Sequence, residues 1–248
     1  MNFKQYYSSS TGNLYVLTLS SGKQIIIDPG VPFAKIQKAL KFKFDNVICA
    51  LCSHEHKDHS KAVPELLKAG VPVYASEETL DALGYADHRN ANFIVPGFSL
   101  YFGDYSIAAF TVEHDSAHPV GFVVREDKEV SKYHIKHDYF LFACDSSVIK
   151  TFFRHGFKII ALECSYDKDI LEKNVEEGKV NESLAKRLLD SHMEVNTLLR
   201  YLRTCNLIHC KELHLLHCSA LNLDIKKIQK KIKEDFFLAV VTRYGKDE

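Results

Sequence analysis

The stretch CSHEHKDHSK, residues 52–61, sets three histidines, an aspartate and a glutamate directly behind the apolar run VICAL, residues 47–51. A lone histidine is more often packed or solvated than a ligand. H-x-H-x-D-H at the end of a buried strand is instead a metal-binding pattern. His54 and His56, two apart in a tight loop, can turn to one ion, and Asp58 and His59 can face a second beside it. Neutral imidazole and carboxylate suit zinc and related transition metals. A hydrated polar loop is the competing reading, and it leaves the pattern unexplained.

Working outward, LYVLTLS and KQIIIDPG around a Ser-Gly turn predict a hairpin, and FAKIQKALK has helical spacing. DNVICAL reads as a short buried strand. HSKAVPELLKAG reads as one helix closed by Gly70, with Pro64 in its first turn and Ser60 or a neighbour near its N-cap. VPVYAS follows as another strand. The histidine cluster is thus expected in the loop between a strand end and a helix start.

Farther on, YSIAAFTVEHD, PVGFVVRE and DYFLFACDS carry the β-branched and aromatic enrichment of strands, with KEVSKYHIKH between them as a polar surface excursion. GFKIIALECSYD is another buried strand. Helices are predicted over KDILEKNVEEG, NESLAKRLLDS, MEVNTLLRYLRTC and DIKKIQKKIKEDF, with strands over ELHLLHCS and FLAVVTRY. Two sheets packed face to face and covered outside by helices would satisfy this order.

A chain of 248 residues can fill one large domain. Neither a linker-like tract nor a repeat suggests a split. The 32 basic residues balance 32 acidic ones, so a nucleic-acid partner has to be met by a local patch. MNFKQYYSSSTGNLYV has no signal-peptide pattern, and no apolar run approaches a membrane span. A cytoplasmic protein without membrane partners is expected, and homo-oligomerisation is left open. The seven cysteines are odd in number. Cys49, Cys144 and Cys164 sit in apolar runs and read as small hydrophobes, and Cys49-x-x-Cys52 as strand alternation.

SHEHKDH resembles the H-x-H-x-D-H motif of the metallo-β-lactamase fold superfamily. SSSTGNLYVL, IIIDPG, PVYAS, VEHDSAHPVGF, ACDS, LECSYD, DSHMEV and LLHCSALN follow the pattern of its WalJ/YycJ-like branch, in order along nearly the whole chain. The resemblance implies an α/β, four-layered αββα sandwich, with residues 1–248 as a single domain. Only about 70 residues separate Asp145 from His217, too few for the β-CASP cap of some nuclease relatives. It also implies two divalent metal ions, zinc or manganese. His54, His56 and His114 would hold the first, Asp58, His59 and His217 the second, and Asp145 would bridge them. His114, Asp145 and His217 all fall at or just beyond a predicted strand end. His118 is the rival for the third ligand position, or a substrate contact. A Cys/His knot of Cys210, His214, His217 and Cys218 is opposed by strand alternation, which puts the two histidines on opposite faces.

In the nuclease branches that the chain resembles, a glutamate at a strand end orients a histidine that assists proton transfer. The matching positions are Glu163 and His192. Ser191 replaces a usual glycine there, and Glu194 stands where a small hydroxyl residue is common, so the substrate pocket is expected to differ. The implied activity is hydrolysis of nucleic-acid phosphodiester bonds, as by a DNA exonuclease. A metal-bound hydroxide near Asp58 and Asp145 would attack phosphorus, with His192 helping the leaving oxygen. DIKKIQKKIK and SSSTGN are lesser candidates for phosphate contacts; a solvated helix face is the better reading of the first, and an ordinary turn explains the second equally well. The alternatives are a phosphodiesterase for cyclic nucleotides or other small phosphodiesters, and a non-catalytic metal-binding protein.

Overall fold

The computed structural model of the chain describes residues 1–131, 134–238 and 240–243. They form two compact units. The first comprises Met1–Thr111 and Ser116–Asp138, the second Val112–Asp115 and the chain from Tyr139 onward.

The first unit opens with the antiparallel strands β1 (Asn2–Tyr7), β2 (Leu14–Thr18) and β3 (Gln24–Ile27). The Ser-Gly turn closes the expected β2–β3 hairpin, where Leu19 N–H donates to the Lys23 carbonyl at 2.8 Å. Then come α1 (Phe33–Ala39), β4 (Val47–Leu51), α2 (Lys57–Ser60), α3 (Val63–Lys68), β5 (Val73–Ala75), α4 (Glu77–Leu83) and β6 (Ala91–Phe93). Strands β1 to β6 form one sheet in chain order, parallel from β3 onward. Parallel strands need crossover helices, and these bring Ile36, Leu66 and Leu67 against Leu14, Val16, Ile26 and Val73 in one buried cluster. The unit also contains the antiparallel set β7 (Ser99–Tyr101), β8 (Tyr105–Thr111) and β9 (Val120–Ser131).

Strand β10 (His134–Ala143) leads into the second unit, which holds β11 (Ile159–Glu163), α5 (Lys168–Glu176), α6 (Glu182–Ser191), α7 (Val195–Thr204), β12 (Glu212–Leu216), α8 (Ile225–Phe236) and β13 (Val240–Arg243). Strands β10 to β13 run parallel, with Ala143 beside Leu162 and Glu163 beside Leu216. All five residues of β11 are buried: Ile159–Leu162 are the continuous apolar run that a parallel strand covered on both faces requires, and Glu163 ends it.

Several sequence expectations are corrected. HSKAVPELLKAG is not one helix. α2 ends at Ser60, and α3 starts afresh after Ala62, its N-cap. Pro64 in the first turn of α3 has no N–H and its ring excludes a preceding helical turn, so the two cannot fuse. As a result Asp58 and His59 sit inside a short helix, not in a loop. KEVSKYHIKH is not an excursion either: β9 runs through Ser131 and β10 starts at His134, while Lys132 and Tyr133 lie outside the described residues. Ladder bonds with ion pairs such as His137–Asp127 (2.7 Å) and Lys128–Asp138 (2.8 Å) hold these strands where no core covers them. Ala239 and Tyr244 of the FLAVVTRY expectation also lie outside the described residues.

The cysteines behave as small hydrophobes. Cys49, Cys52, Cys144 and Cys164 are buried and unbridged, and burial pushes the Cys49 thiol up to about 12.

Candidate functional site

In the first unit the carboxyl ends of β3, β4 and β5 lie side by side, so the segments after them share one edge. The segment after β4 carries His54, His56, Asp58 and His59. His54 and His59 are fully buried. The His54 ring lies 4.7 Å from His56 and 4.2 Å from His59, centroid to centroid, and Asp58 Oδ2 is 3.6 Å from His59 Nε2. Ser53 Oγ meets His54 Nδ1 at 3.0 Å.

Two residues that the sequence reading gave no role orient His59. Asp28, just past β3, accepts the His59 Nδ1 proton at 2.9 Å on Oδ2 and the Ser53 N–H at 2.9 Å on Oδ1. A carboxylate on Nδ1 fixes the tautomer and turns the Nε2 lone pair outward, as metal-ligating histidines require. Asn13 Nδ2 lies 3.0 Å from that Nε2. Its Oδ1 is taken by Ser9 N–H at 3.1 Å and the Tyr15 hydroxyl at 2.9 Å, which settles which end of the amide faces His59. Both lie in stretches quoted above, SSSTGN and IIIDPG. The available signal was a polar residue at a strand end.

Gly30 makes this geometry feasible. A Cβ there would lie 1.6 Å from the Asp58 carbonyl oxygen, so only glycine lets the IIIDPG turn pass under α2.

In the second unit the parallel register places Asp145, Glu163 and His217 at the ends of adjacent strands β10, β11 and β12. His192 enters from the α6–α7 junction. That junction is tied to the segment after β11 by Ser165 N–H on the Met193 carbonyl (2.9 Å) and Val195 N–H on that of Tyr166 (3.0 Å). Asp145, Glu163, His192 and His217 are all buried, and each offers one ligand atom within 4.8 Å of the others. Asp145 (φ 49°), His217 (φ 51°) and, in the first unit, Asp28 (φ 49°) hold left-handed backbones. Each costs roughly 1–2 kcal/mol for a residue with a Cβ, and such strain clusters at functional positions.

Glu163 Oε1 lies 2.7 Å from His192 Nδ1, and its Oε2 accepts Ser146 N–H at 2.6 Å. Burial by itself would lower the His192 value, but the Glu163 charge and hydrogen bond outweigh it and raise the imidazole to about 9. The His192 ring stacks on His217 at 5.0 Å. His114, in the segment after β8, donates Nδ1–H to the Ser191 carbonyl at 3.0 Å. Its Nε2 then faces Asp115 Oδ1 at 3.2 Å and Asp145 Oδ2 at 3.9 Å. A lone pair opposite two carboxylates is relieved by a cation between them. Burial lowers the His114 value, opposed by the Asp145 charge, which favours the neutral imidazole that metals bind. The donor set therefore fits divalent ions.

The rival positions fall elsewhere. His118 Nδ1 pairs with Glu78 at 2.9 Å. His214 meets Glu212 at 3.0 Å and Thr242 at 2.6 Å. Strand alternation does not extend to His217, because β12 ends at Leu216 and His217 lies beyond it with a left-handed backbone. Glu194 caps α7, accepting Thr197 N–H at 3.1 Å, and Ser191 Oγ–H donates to the Arg187 carbonyl at 2.8 Å, so both substituted positions have helix-terminal work.

The fold and these clusters define a metallo-β-lactamase-type protein: the family model of the metallo-beta-lactamase superfamily matches residues 10–137, and the chain belongs to that superfamily. Among curated relatives it is similar to the exodeoxyribonuclease WalJ of Streptococcus pneumoniae serotype 2, 34% identical over 122 residues, covering 45% of each chain. It is also similar to a hydroxyacylglutathione hydrolase of Xylella fastidiosa, 40% identical over 81 residues, covering 31% of this chain and 30% of that protein. These matches span less than half of the relatives' lengths. Among solved structures the metallo-β-lactamase fold protein YhfI of Bacillus subtilis superposes with a TM-score of 0.69 at 17% identity, covering 97% of this chain and 95% of that one. The α/β metallo-β-lactamase fold expected from the motifs is thus shown. Among the described residues no helix is long and apolar enough to cross a membrane.

Proposed function

We propose that the chain, as one uncapped domain, is a metal-dependent phosphodiesterase that hydrolyses nucleic acid, with DNA exonuclease activity as its main reaction. The Glu163–His192 pair carries this reading. A buried carboxylate 2.7 Å from one imidazole nitrogen leaves the other free to serve a reacting oxygen, which thioester or lactam hydrolysis does not require. The similarity to the exodeoxyribonuclease WalJ supports the polymer substrate, and the similarity to the hydroxyacylglutathione hydrolase supports the wider hydrolase class.

The ligand roles are those the resemblance implies: His54, His56 and His114 for one ion, Asp58, His59 and His217 for another, and Asp145 for both. Two such ions, zinc or manganese, would supply Lewis acidity that polarises a phosphoryl oxygen and eases deprotonation of water. The protein's own groups do the rest. Asp28 holds His59 in its ligand tautomer, and the Ser191 carbonyl does the same for His114. Glu163 keeps His192 protonated at neutral pH, so that its Nε2–H can be given to the leaving oxygen.

The test is incubation of zinc- or manganese-loaded protein with end-labelled single- and double-stranded DNA, RNA, cyclic mononucleotides and a hydroxyacylglutathione thioester, beside Asp145→Ala. Release of nucleotides from polymer ends by wild type alone is the expected outcome. Turnover of the thioester but no phosphodiester would replace this reading with the thioesterase one.

A further inference from the structure

On α6, Ser183, Lys186, Arg187 and Asp190 share one face, since residues three and four apart lie above one another. With Asp115 and Ser191 they line a cavity of about 350 Å³, within the size class of small-ligand sites. The cavity adjoins the candidate site through two of its walls. Asp115 Oδ1 is the oxygen 3.2 Å from His114 Nε2, and the carbonyl of Ser191 is the one that His114 Nδ1–H reaches. Arg187 also lies close enough for its charge to act on His192.

Arg187 Nε stands 3.9 Å from Asp115 Oδ2, with both side chains more than half exposed, a contact that solvent screens to little value. A guanidinium so loosely engaged can present its fork to two phosphate oxygens, and Lys186 adds a point charge beside it. Asp115 and Asp190 cancel the net charge of the lining, so a bare anion gains little from the field. Their carboxylates are acceptors, however, and a nucleotide carries base amino donors that inorganic phosphate lacks. On α8, the rival basic surface, Lys231 lies 3.0 Å from Asp235 and Lys230 lies 3.8 Å from Glu234, as loosely held as Arg187, so Lys230 is the control for a basic side chain on another helix.

We propose that this cavity binds the nucleotide unit next to the bond that is cut, its phosphate on Arg187 and Lys186, its base amino donors on Asp115 and Asp190. The inference rests on the phosphodiesterase reading and adds the residues that make a polymer a better substrate than an isolated diester.

The experiment measures fluorescence anisotropy of a labelled phosphorothioate oligodeoxyadenylate, whose bases carry an amino donor, with metal-loaded full-length protein across a salt series. It compares wild type, Arg187→Gln, Arg187→Lys and Lys230→Gln, each first shown to be folded by circular dichroism. Arg187→Gln is expected to weaken binding about tenfold and to lower the salt slope by about one, with Arg187→Lys restoring the slope but not the full affinity. In steady state the KM for cleavable oligonucleotide should rise with little change in kcat, and this loss should exceed that for bis(p-nitrophenyl) phosphate. Lys230→Gln should follow wild type. Unchanged binding by Arg187→Gln, an equal loss in Lys230→Gln, or no oligonucleotide binding by wild type would overturn the inference. Arg187-dependent binding without cleavage of any phosphodiester would instead remove the phosphodiesterase reading and leave the nucleotide cavity standing.

Discussion

Replacing Glu163 by glutamine removes one buried charge and keeps the side chain's shape. Glu163 is fully buried, and its carboxylate is the group that raises His192 from 6.5 to about 9 against burial, which works the other way. That rise is worth roughly 3 kcal/mol in favour of the imidazolium. At pH 7.5 a group at about 9 is about 97% protonated, whereas one at 6.5 is only about 9% protonated. With the carboxylate gone and burial still acting, the value falls below 6.5, so protonation alone costs at least about tenfold in kcat. Loss of ring orientation should bring the total to about a hundredfold or more.

The raised value also links to stability. The contribution of the pair is fully present below about 6.5 and is lost as pH rises toward about 9, so Glu163→Gln should narrow its stability deficit at alkaline pH. Two assays bear on this: the pH profile of kcat on an end-labelled oligonucleotide, and imidazole titration of the metal-free protein by heteronuclear NMR. A variant that keeps the wild-type profile and a His192 value near 9 would refute the role given to Glu163.

Other outcomes are expected at separate points of the fold. Gly30→Ala should abolish metal binding or folding, because its Cβ would fall 1.6 Å from a backbone oxygen that cannot move without displacing Asp58 and His59; thermal melts and calorimetric zinc titration report it. Asp28→Asn should lower metal affinity about 10–100-fold through His59 while far-ultraviolet circular dichroism stays native. Glu194→Ala should cost about 1 kcal/mol in chemical denaturation by uncapping α7, with a smaller effect on activity than any change at Glu163.

Much of this was legible in the chain itself. Strand and helix periods marked most elements of both units, because burial on one face or both leaves a repeating apolar signal. HEHKDH marked a ligand cluster, and the spaced motifs before and after it carried the resemblance to the family. What the sequence did not mark were short or weakly apolar elements. β1, α4, β6 and β7 gave no strong period, and the far ends of β9 and β10 are polar because ladder bonds and ion pairs hold them. Nor did it mark Asp28 and Asn13, whose importance lies in which atoms of His59 they reach.

The sequence by itself determined which residues have ligand chemistry and at which strand ends they fall. Tertiary structure alone decided that Asp145, Glu163 and His217, 72 residues apart at the extremes, become neighbours, and that His192 turns inward onto Glu163 and not outward to water. The reason is that parallel strands exchange hydrogen bonds across long crossovers. Proximity at their carboxyl ends is set by the register of the sheet, a relation between distant segments that local sequence does not contain.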